Sequence, residues 1–203
     1  MSPFIEHLTP HWAATPRSFI EDQGEIRGRY RNQVAQWLLV VGPRSIGRRM
    51  TATICAIASE EVVRVMDAGD QFDPHLAAHL LGGEKYVTER ILLQRPGTGR
   101  RGCIDLLVML QKEASTQVPL VILDMLRPFY ASFLPLPKRQ ELLQSSFENL
   151  QRLQISTSGL VSLCPPRRAS PAARLLFARA EALARKSFDR EIRLPGWEMR
   201  RMF

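Results

Sequence analysis

The 203-residue sequence has few cysteines and no long apolar run, and each absence excludes a class of protein. Its three cysteines, Cys55, Cys103 and Cys164, lie far apart, and none belongs to a Cys-x-x-Cys pair. This pattern argues against a disulfide framework or a zinc site and predicts buried, reduced thiols. No stretch approaches the roughly 20 apolar residues of a membrane span, and the first 17 residues lack the apolar run of a signal peptide. We expect an intracellular protein without a membrane partner, cytoplasmic in a bacterium or nuclear in a eukaryote.

Lysine is also scarce, although the chain is strongly basic. Only four of its 28 basic residues are lysines, and arginine supplies the rest. A formal net charge of +8 and a pI of about 10.1 favour an acidic partner, with nucleic acid first. Arginine suits bidentate contacts with phosphate. Codon bias in a GC-rich genome would produce the same excess, so the charge alone does not decide the partner.

Short apolar runs alternate with longer segments of helical period between residues 37 and 194, which is the pattern of a parallel sheet with connecting helices. Continuous apolar runs such as Leu-Val-Ile-Leu at 120–123 are typical of strands buried on both faces. The predicted strands are 37–41, 62–66, 90–94, 120–124, 159–164 and 191–194. The predicted helices are 48–60, 74–81, 101–113, 138–154 and 171–186.

The domain organisation follows from this alternation. We predict one α/β core domain over residues 37–194, with a mostly parallel sheet between two helical layers. Residues 1–36 show no clear period and are interpreted as an N-terminal arm. Residues 195–203 form a C-terminal tail rich in apolar side chains, which either docks a partner or folds back on the sheet.

A glycine-spaced loop follows the first predicted strand. Residues 42–47 read Gly-Pro-Arg-Ser-Ile-Gly, and a predicted helix comes next. Glycines at this spacing let a backbone turn tightly and point its N–H groups at phosphate, at the positive end of the helix. A working phosphate loop continues with Lys and then Ser or Thr, for the phosphates and Mg²⁺. Here those positions hold Arg48 and Arg49, so productive ATP·Mg²⁺ binding is not expected. The remnant of the loop comprises Gly42, Pro43, Arg44, Ser45, Gly47, Arg48 and Arg49.

Asp124 ends the fourth predicted strand, Val-Ile-Leu-Asp. A phosphate-loop protein places its magnesium-positioning carboxylate at this point. An ordinary turn or cap residue is the alternative for an Asp after an apolar strand.

With both motifs in place, the sequence resembles the RecA-like recombinase family over roughly residues 37–194. The glycine loop resembles the family's Gly-Pro-x-x-x-Gly, and residues 65–74 resemble its second strand and the segment that follows, through Asp67, Phe72 and Pro74. Residues 91–96 resemble the third strand with its Arg-Pro end. The resemblance implies a RecA-like three-layer αβα fold with a mostly parallel central sheet.

The resemblance fails at the positions that hydrolysis needs. The family's catalytic glutamate falls at Gly69, and Arg48 and Arg49 replace the lysine and the hydroxyl residue. This implies a pseudo-ATPase with no catalytic residues, no metal and no cofactor, whose partner is another RecA-like subunit or a DNA-repair protein. Recombinase paralogues, ImuA-like proteins and SulA-like proteins are the degenerate relatives that it resembles. The alternatives are a regulatory ATPase that binds ATP through an atypical loop, and an inhibitor or scaffold that never meets nucleic acid.

In recombinases of this fold the loops after the fourth and fifth strands face DNA, and here they are residues 127–139 and 165–170. The first mixes cations with Phe129, Tyr130 and Phe133, a combination that tracks a nucleic-acid backbone and stacks on bases. The alternative is that the aromatic rings pack under their own loop. The candidate DNA-binding residues are Arg127, Phe129, Tyr130, Lys138, Arg139, Arg167 and Arg168.

Overall fold

The computed structural model describes residues 37–97, 99, 101–113, 118–166, 170–188 and 190–194. The predicted arm at 1–36 and tail at 195–203 lie outside the described residues. Arg167 and Arg168, two of the candidate DNA-binding residues, also lie outside them.

Six strands form one sheet in which every pair is parallel. The bounds are β1 Trp37–Val41, β2 Val63–Asp67, β3 Ile91–Gln94, β4 Leu120–Leu123, β5 Gly159–Leu163 and β6 Arg190–Arg193. The six predicted strands are confirmed, each within one residue at either end. Their order in the sheet is β3-β2-β4-β5-β1-β6.

Helices cover the sheet in two layers. The connections from β1 to β2 to β3 run in one direction along the sheet, and those from β3 through β6 run in the other. Right-handed crossovers therefore place the two sets of helices on opposite faces. The helices are α1 Gly47–Ala58, α2 Pro74–Leu81, α3 Glu84–Arg90, α4 Gly102–Lys112, α5 Arg127–Ala131, α6 Leu136–Leu153 and α7 Pro171–Ser187. Their contacts agree with this division, because α1, α2 and α3 pack against one another in sequence and α4 to α7 form a second packed group. The predicted three-layer αβα architecture is confirmed.

The larger part of the core lies between the sheet and helices α4 to α7. Helix α6 buries one apolar stripe there, as its period predicts, and keeps Glu148 and Arg152 exposed. The stripe consists of Leu142, Leu143, Phe147, Leu150 and Leu153. The three cysteines are buried and unpaired, which confirms the prediction from their spacing. Among the described helices, none has the length and apolar character of a transmembrane segment.

The prediction of a continuous loop over residues 127–139 is wrong. The segment begins with the one-turn helix α5, and α6 already starts at Leu136. Pro128 and Pro137 lie in the first turns of these helices, where a missing N–H removes no hydrogen bond and the fixed φ favours the helix. Proline here starts helices instead of stiffening an extended chain.

Candidate functional site

A cleft of about 860 Å³ opens at the carboxyl ends of β1, β2, β3 and β4. Helices leave β1 and β2 toward one layer and β4 and β5 toward the other, so the sheet has its topological switch points at this edge. In open α/β sheets, ligands bind in the crevice outside the carboxyl ends of the strands at such points. The cleft is lined by Arg44, Ser45, Gly47 and Arg48 from the glycine loop, and also by Arg95 and Arg127.

The glycine loop, residues 42–47, contains the short 3₁₀ helix Arg44–Ile46, which leads directly into α1. A Cβ atom on Gly42 would lie 3.2 Å from Ile46 Cγ2 and 3.3 Å from Leu194 Cβ. A Cβ atom on Gly47 would lie 2.8 Å from the carbonyl oxygen of Gln71. Close packing against backbone therefore requires glycine at position 47, where it lets the segment after β2 approach the start of α1. At position 42 a larger residue would only crowd neighbouring side chains.

Arg44 and Asp124 form an ion pair at the carboxyl edge of the sheet. Arg44 Nε lies 3.0 Å from Asp124 Oδ2, and Arg44 Nη2 donates a hydrogen bond of 2.5 Å to the carbonyl oxygen of Gly69. The Asp124 side chain is 1% exposed and that of Arg44 is 19% exposed. The guanidinium thus joins the loop after β1 to the segments that follow β2 and β4.

Burial raises the pKa of Asp124 to about 6, against the attraction of Arg44 and Arg127. Asp67 adds to the rise because its charge has the same sign, and the Cys164 thiol opposes it through a hydrogen bond. Asp124 also has a φ of 47°, in the left-handed region that Asp tolerates better than most residues. Its backbone N–H donates to Ser162 Oγ at 2.8 Å, which fixes the residue against β5.

Asp67, the last residue of β2, organises the segment that follows it. Its Oδ1 accepts from the N–H of Gln71 at 2.8 Å, and its Oδ2 accepts from the N–H of Phe72 at 3.1 Å. Arg95 Nε lies 3.5 Å from Asp67 Oδ2. These contacts give Asp67 a structural role, because both carboxylate oxygens have partners.

Gly69 occupies the position of the family's catalytic glutamate in the register of the resemblance. It is buried, and a Cβ atom there would lie 2.6 Å from Asp124 Oδ2. The site therefore has no space for a side chain at position 69 unless Asp124 moves.

Arg48 and Arg49 lie in the first turn of α1, at the positions that the resemblance assigns to a lysine and a hydroxyl residue. Arg48 is exposed and lines the cleft, whereas Arg49 is half-buried. Neither side chain has an oxygen for a metal ion, and no cluster of three acidic, histidine or cysteine side chains suited to a metal occurs in the described part of the chain.

The three basic candidates of residues 127–139 have different environments in the structure. Arg127 is exposed and lines the cleft. Lys138 is exposed and pairs with Glu141 at 2.7 Å. Arg139 is half-buried and its Nη1 donates to the carbonyl oxygen of Phe129 at 3.2 Å, so it supports α5. Only Arg127 of these three lines the cleft.

The aromatic candidates of the same segment face the core. Phe129 is fully buried, and its ring is not available to stack on a base. Tyr130 packs partly against the core and its hydroxyl donates to the carbonyl oxygen of Cys164 at 3.1 Å. Phe133 is instead 79% exposed, and it lies beside Gly99 at the rim of the cleft. Helix α5 explains why Phe129 is buried and Phe133 is exposed, because its single turn points residues 128 and 129 toward the core.

Arg95 lines the cleft as well, although it was not among the predicted site residues. Its position directly after β3 was a usable signal, since the carboxyl ends of parallel strands meet at one edge of the sheet. Its guanidinium contacts Asp67 and, at 3.4 Å, Asp70 Oδ1.

Comparison with known proteins does not assign this cleft. No family model matches the chain, and no curated protein is similar to it in sequence.

Proposed function

We propose that this chain is a catalytically inactive RecA-like accessory protein of DNA recombination or repair, acting through a protein partner and contacts with DNA. The resemblance of the glycine loop and of the segment 65–74 to that family supports a role in recombination or repair. The chemistry of the cleft supports the lack of ATP hydrolysis.

The ion pair between Arg44 and Asp124 carries the proposal. In phosphate-loop enzymes a carboxylate at the end of this strand helps to hold Mg²⁺, which neutralises the phosphate charge that develops during transfer. Here a guanidinium contacts that carboxylate, so an arginine supplies the positive charge that the metal would bring. A guanidinium can donate hydrogen bonds to phosphate oxygens, but unlike Mg²⁺ it coordinates no water, and here it is held against Asp124.

The rim of the cleft supports the DNA part of the proposal. Arg127 and the exposed ring of Phe133 follow β4 within one short segment. Cations beside an exposed aromatic ring are suited to a single strand, because the cations contact its backbone and the ring stacks on a base. The overall positive charge strengthens such binding at low salt.

Strand β3 supports the part of the proposal that concerns a protein partner. It lies at the end of the sheet and, within the described residues, pairs with β2 alone. Leu92 and Leu93 are 45% and 36% exposed, and successive side chains of a strand point to opposite faces. A strand edge with unpaired backbone groups and apolar side chains favours the addition of a strand from another chain. We assign this edge to a strand of the repair partner.

Hydrolysis and DNA binding are tested on the same full-length protein. ATP turnover is measured with Mg²⁺, with and without single-stranded DNA, and DNA affinity is measured by fluorescence anisotropy over a salt series. The proposal predicts no turnover and a DNA affinity that falls steeply as salt rises. Turnover that requires Mg²⁺ would instead favour the regulatory ATPase, and the lack of DNA binding at low salt would favour the pure scaffold.

The partner edge is tested by affinity purification from the native cells. A double variant, Leu92→Lys with Leu93→Lys, should lose a DNA-repair protein that the parent chain recovers. Leu175→Lys is the matched control, because Leu175 is 53% exposed on α7. Equal recovery by all three proteins would contradict the assignment of this edge.

A further inference from the structure

The cleft carries more positive than negative charge. Four arginines line it, Arg44, Arg48, Arg95 and Arg127, against the carboxylates of Asp67 and Asp70. Asp67 is fully buried and already accepts two backbone hydrogen bonds, and it contacts Arg95 as well. The charge that faces the open space is therefore mainly that of guanidinium groups.

Two of these arginines are available to a ligand. Arg48 and Arg127 are exposed, and within the described residues neither makes an ion pair. They come from different elements, the start of α1 and the start of α5, yet both line one cleft. Planar guanidinium groups bind phosphate oxygens with two parallel hydrogen bonds.

Arg44 is the third guanidinium that a ligand would meet, and its charge is shared. It is partly exposed at the wall of the cleft while Nε contacts Asp124. An anion in the cleft must therefore compete with the Asp124 carboxylate for the charge of Arg44. If the negative charge at position 124 were removed, the Arg44 guanidinium could bind the ligand without this competition.

We propose that this cleft is a metal-independent phosphate site, in which Arg44, Arg48 and Arg127 bind a phosphate or diphosphate group and Asp124 competes with it for Arg44. The inference rests on the proposed absence of metal-dependent hydrolysis. Its ligand is the phosphate of a nucleotide or the terminal phosphate of a nucleic-acid strand, and both sources offer the same oxygens. The volume of about 860 Å³ is within the range of small-ligand sites.

Binding of pyrophosphate to the full chain, measured by calorimetry in EDTA, tests the site. Arg48→Ala and Arg127→Ala should each weaken binding about tenfold, which corresponds to ~1.4 kcal/mol. Asp124→Asn should tighten it severalfold, because the competing charge is gone. Arg152→Ala is the matched control, since Arg152 is an exposed arginine at the far end of α6, and it should bind like the parent chain. Both arginine replacements are at exposed positions, and a thermal melt verifies that each variant is folded.

Two further probes identify the source of the phosphate. Tighter binding of ADP than of pyrophosphate would support the site and assign it to a nucleotide. Tighter binding of an oligonucleotide with a 5′-phosphate than of the same strand without it would support the site and assign it to a strand end.

Three outcomes would overturn the phosphate site. The first is the absence of pyrophosphate binding in EDTA, and the second is a lower affinity of Asp124→Asn than of the parent chain. The third is a loss of affinity in Arg152→Ala as large as that in Arg48→Ala. These outcomes leave the proposed function in place. Binding that requires Mg²⁺ and leads to ATP turnover would instead contradict the proposed function itself.

Discussion

Gly69 packs directly against the side chain of Asp124, so that a Cβ atom at position 69 would lie 2.6 Å from Asp124 Oδ2 and 2.8 Å from its Cγ. The register of the resemblance puts a catalytic glutamate at this position. The space for that side chain is filled by Asp124, which is itself paired with Arg44. The absence of a side chain at position 69 and the pairing of Asp124 with Arg44 therefore belong to one packed arrangement.

A methyl group at position 69 should destabilise the fold. We expect Gly69→Ala to lower the free energy of unfolding by about 1 to 3 kcal/mol, because a buried aspartate at the end of β4 must move. Urea unfolding measures the change. In the background of Asp124→Gly the same substitution should cost less, because the three nearest atoms that the methyl group would meet belong to the Asp124 side chain. A double-mutant cycle gives the coupling energy between the two positions. Equal effects in both backgrounds would show that the clash lies elsewhere.

Introducing the residues of a working phosphate loop should not produce hydrolysis. We expect no turnover from Arg48→Lys with Arg49→Thr, because no glutamate orients water. Adding Gly69→Glu should also fail, because its side chain collides with Asp124 and Arg44 remains paired with that carboxylate. Release of phosphate from ATP·Mg²⁺ is the measurement. Turnover by the double variant would mean that another residue positions the water.

Stability should depend on pH through Asp124. Its folded pKa of about 6 lies above the ordinary 3.8, so the folded chain holds a proton that the unfolded chain releases. The contribution of this group to the free energy of unfolding is fully present below about pH 4 and falls by roughly 1 to 3 kcal/mol by about pH 7. Asp124→Asn removes the titration, so its stability relative to the parent chain should improve as the pH rises. Urea unfolding at several pH values measures the difference.

Leu175→Ala controls for the pH series, because it changes an exposed side chain and no titratable group. It should keep the pH slope of the parent chain. If Asp124→Asn also kept that slope, the buried carboxylate would not be the titrating group.

The exposed ring of Phe133 should contribute to binding of single strands. We expect Phe133→Ala to weaken binding of single-stranded DNA by about 1 to 3 kcal/mol and that of duplex DNA by less, because only unstacked bases offer a face to the ring. Anisotropy with matched oligonucleotides measures both affinities. Ile155→Ala is the control, since Ile155 is 86% exposed and follows α6 at the amino edge of the sheet. The same loss on single and double strands would exclude base stacking by this ring.

The parallel sheet and its carboxyl edge were predictable from sequence, because strands buried on both faces give continuous apolar runs such as 120–123. The edge then brings the ends of β1, β2 and β4 together, and with them the glycine loop, Asp67 and Asp124. Helix α3 was missed because it spans only seven residues and buries none of them. A sequence shows no signal for so short an exposed helix.

The contacts within the site could not be predicted in the same way. Arg44 lies at a position of the loop for which the motif specifies no residue, so only the folded chain shows that its guanidinium reaches Asp124. The choice between Phe129 and Phe133 depends on α5, since one turn of helix buries the first ring and leaves the second exposed. Spacing alone does not distinguish two aromatic residues four positions apart.

The proposed inactivity of the cleft is tested by ATP turnover of the full chain with Mg²⁺, in the presence of single-stranded DNA, compared with the same preparation of Asp124→Asn. We expect no phosphate release above background from either protein, because Arg44 contacts the carboxylate that would hold the metal. Turnover by the parent chain that requires Mg²⁺ and is lost in Asp124→Asn would contradict the proposed inactivity, since Asp124 would then be a metal-positioning residue of an active ATPase.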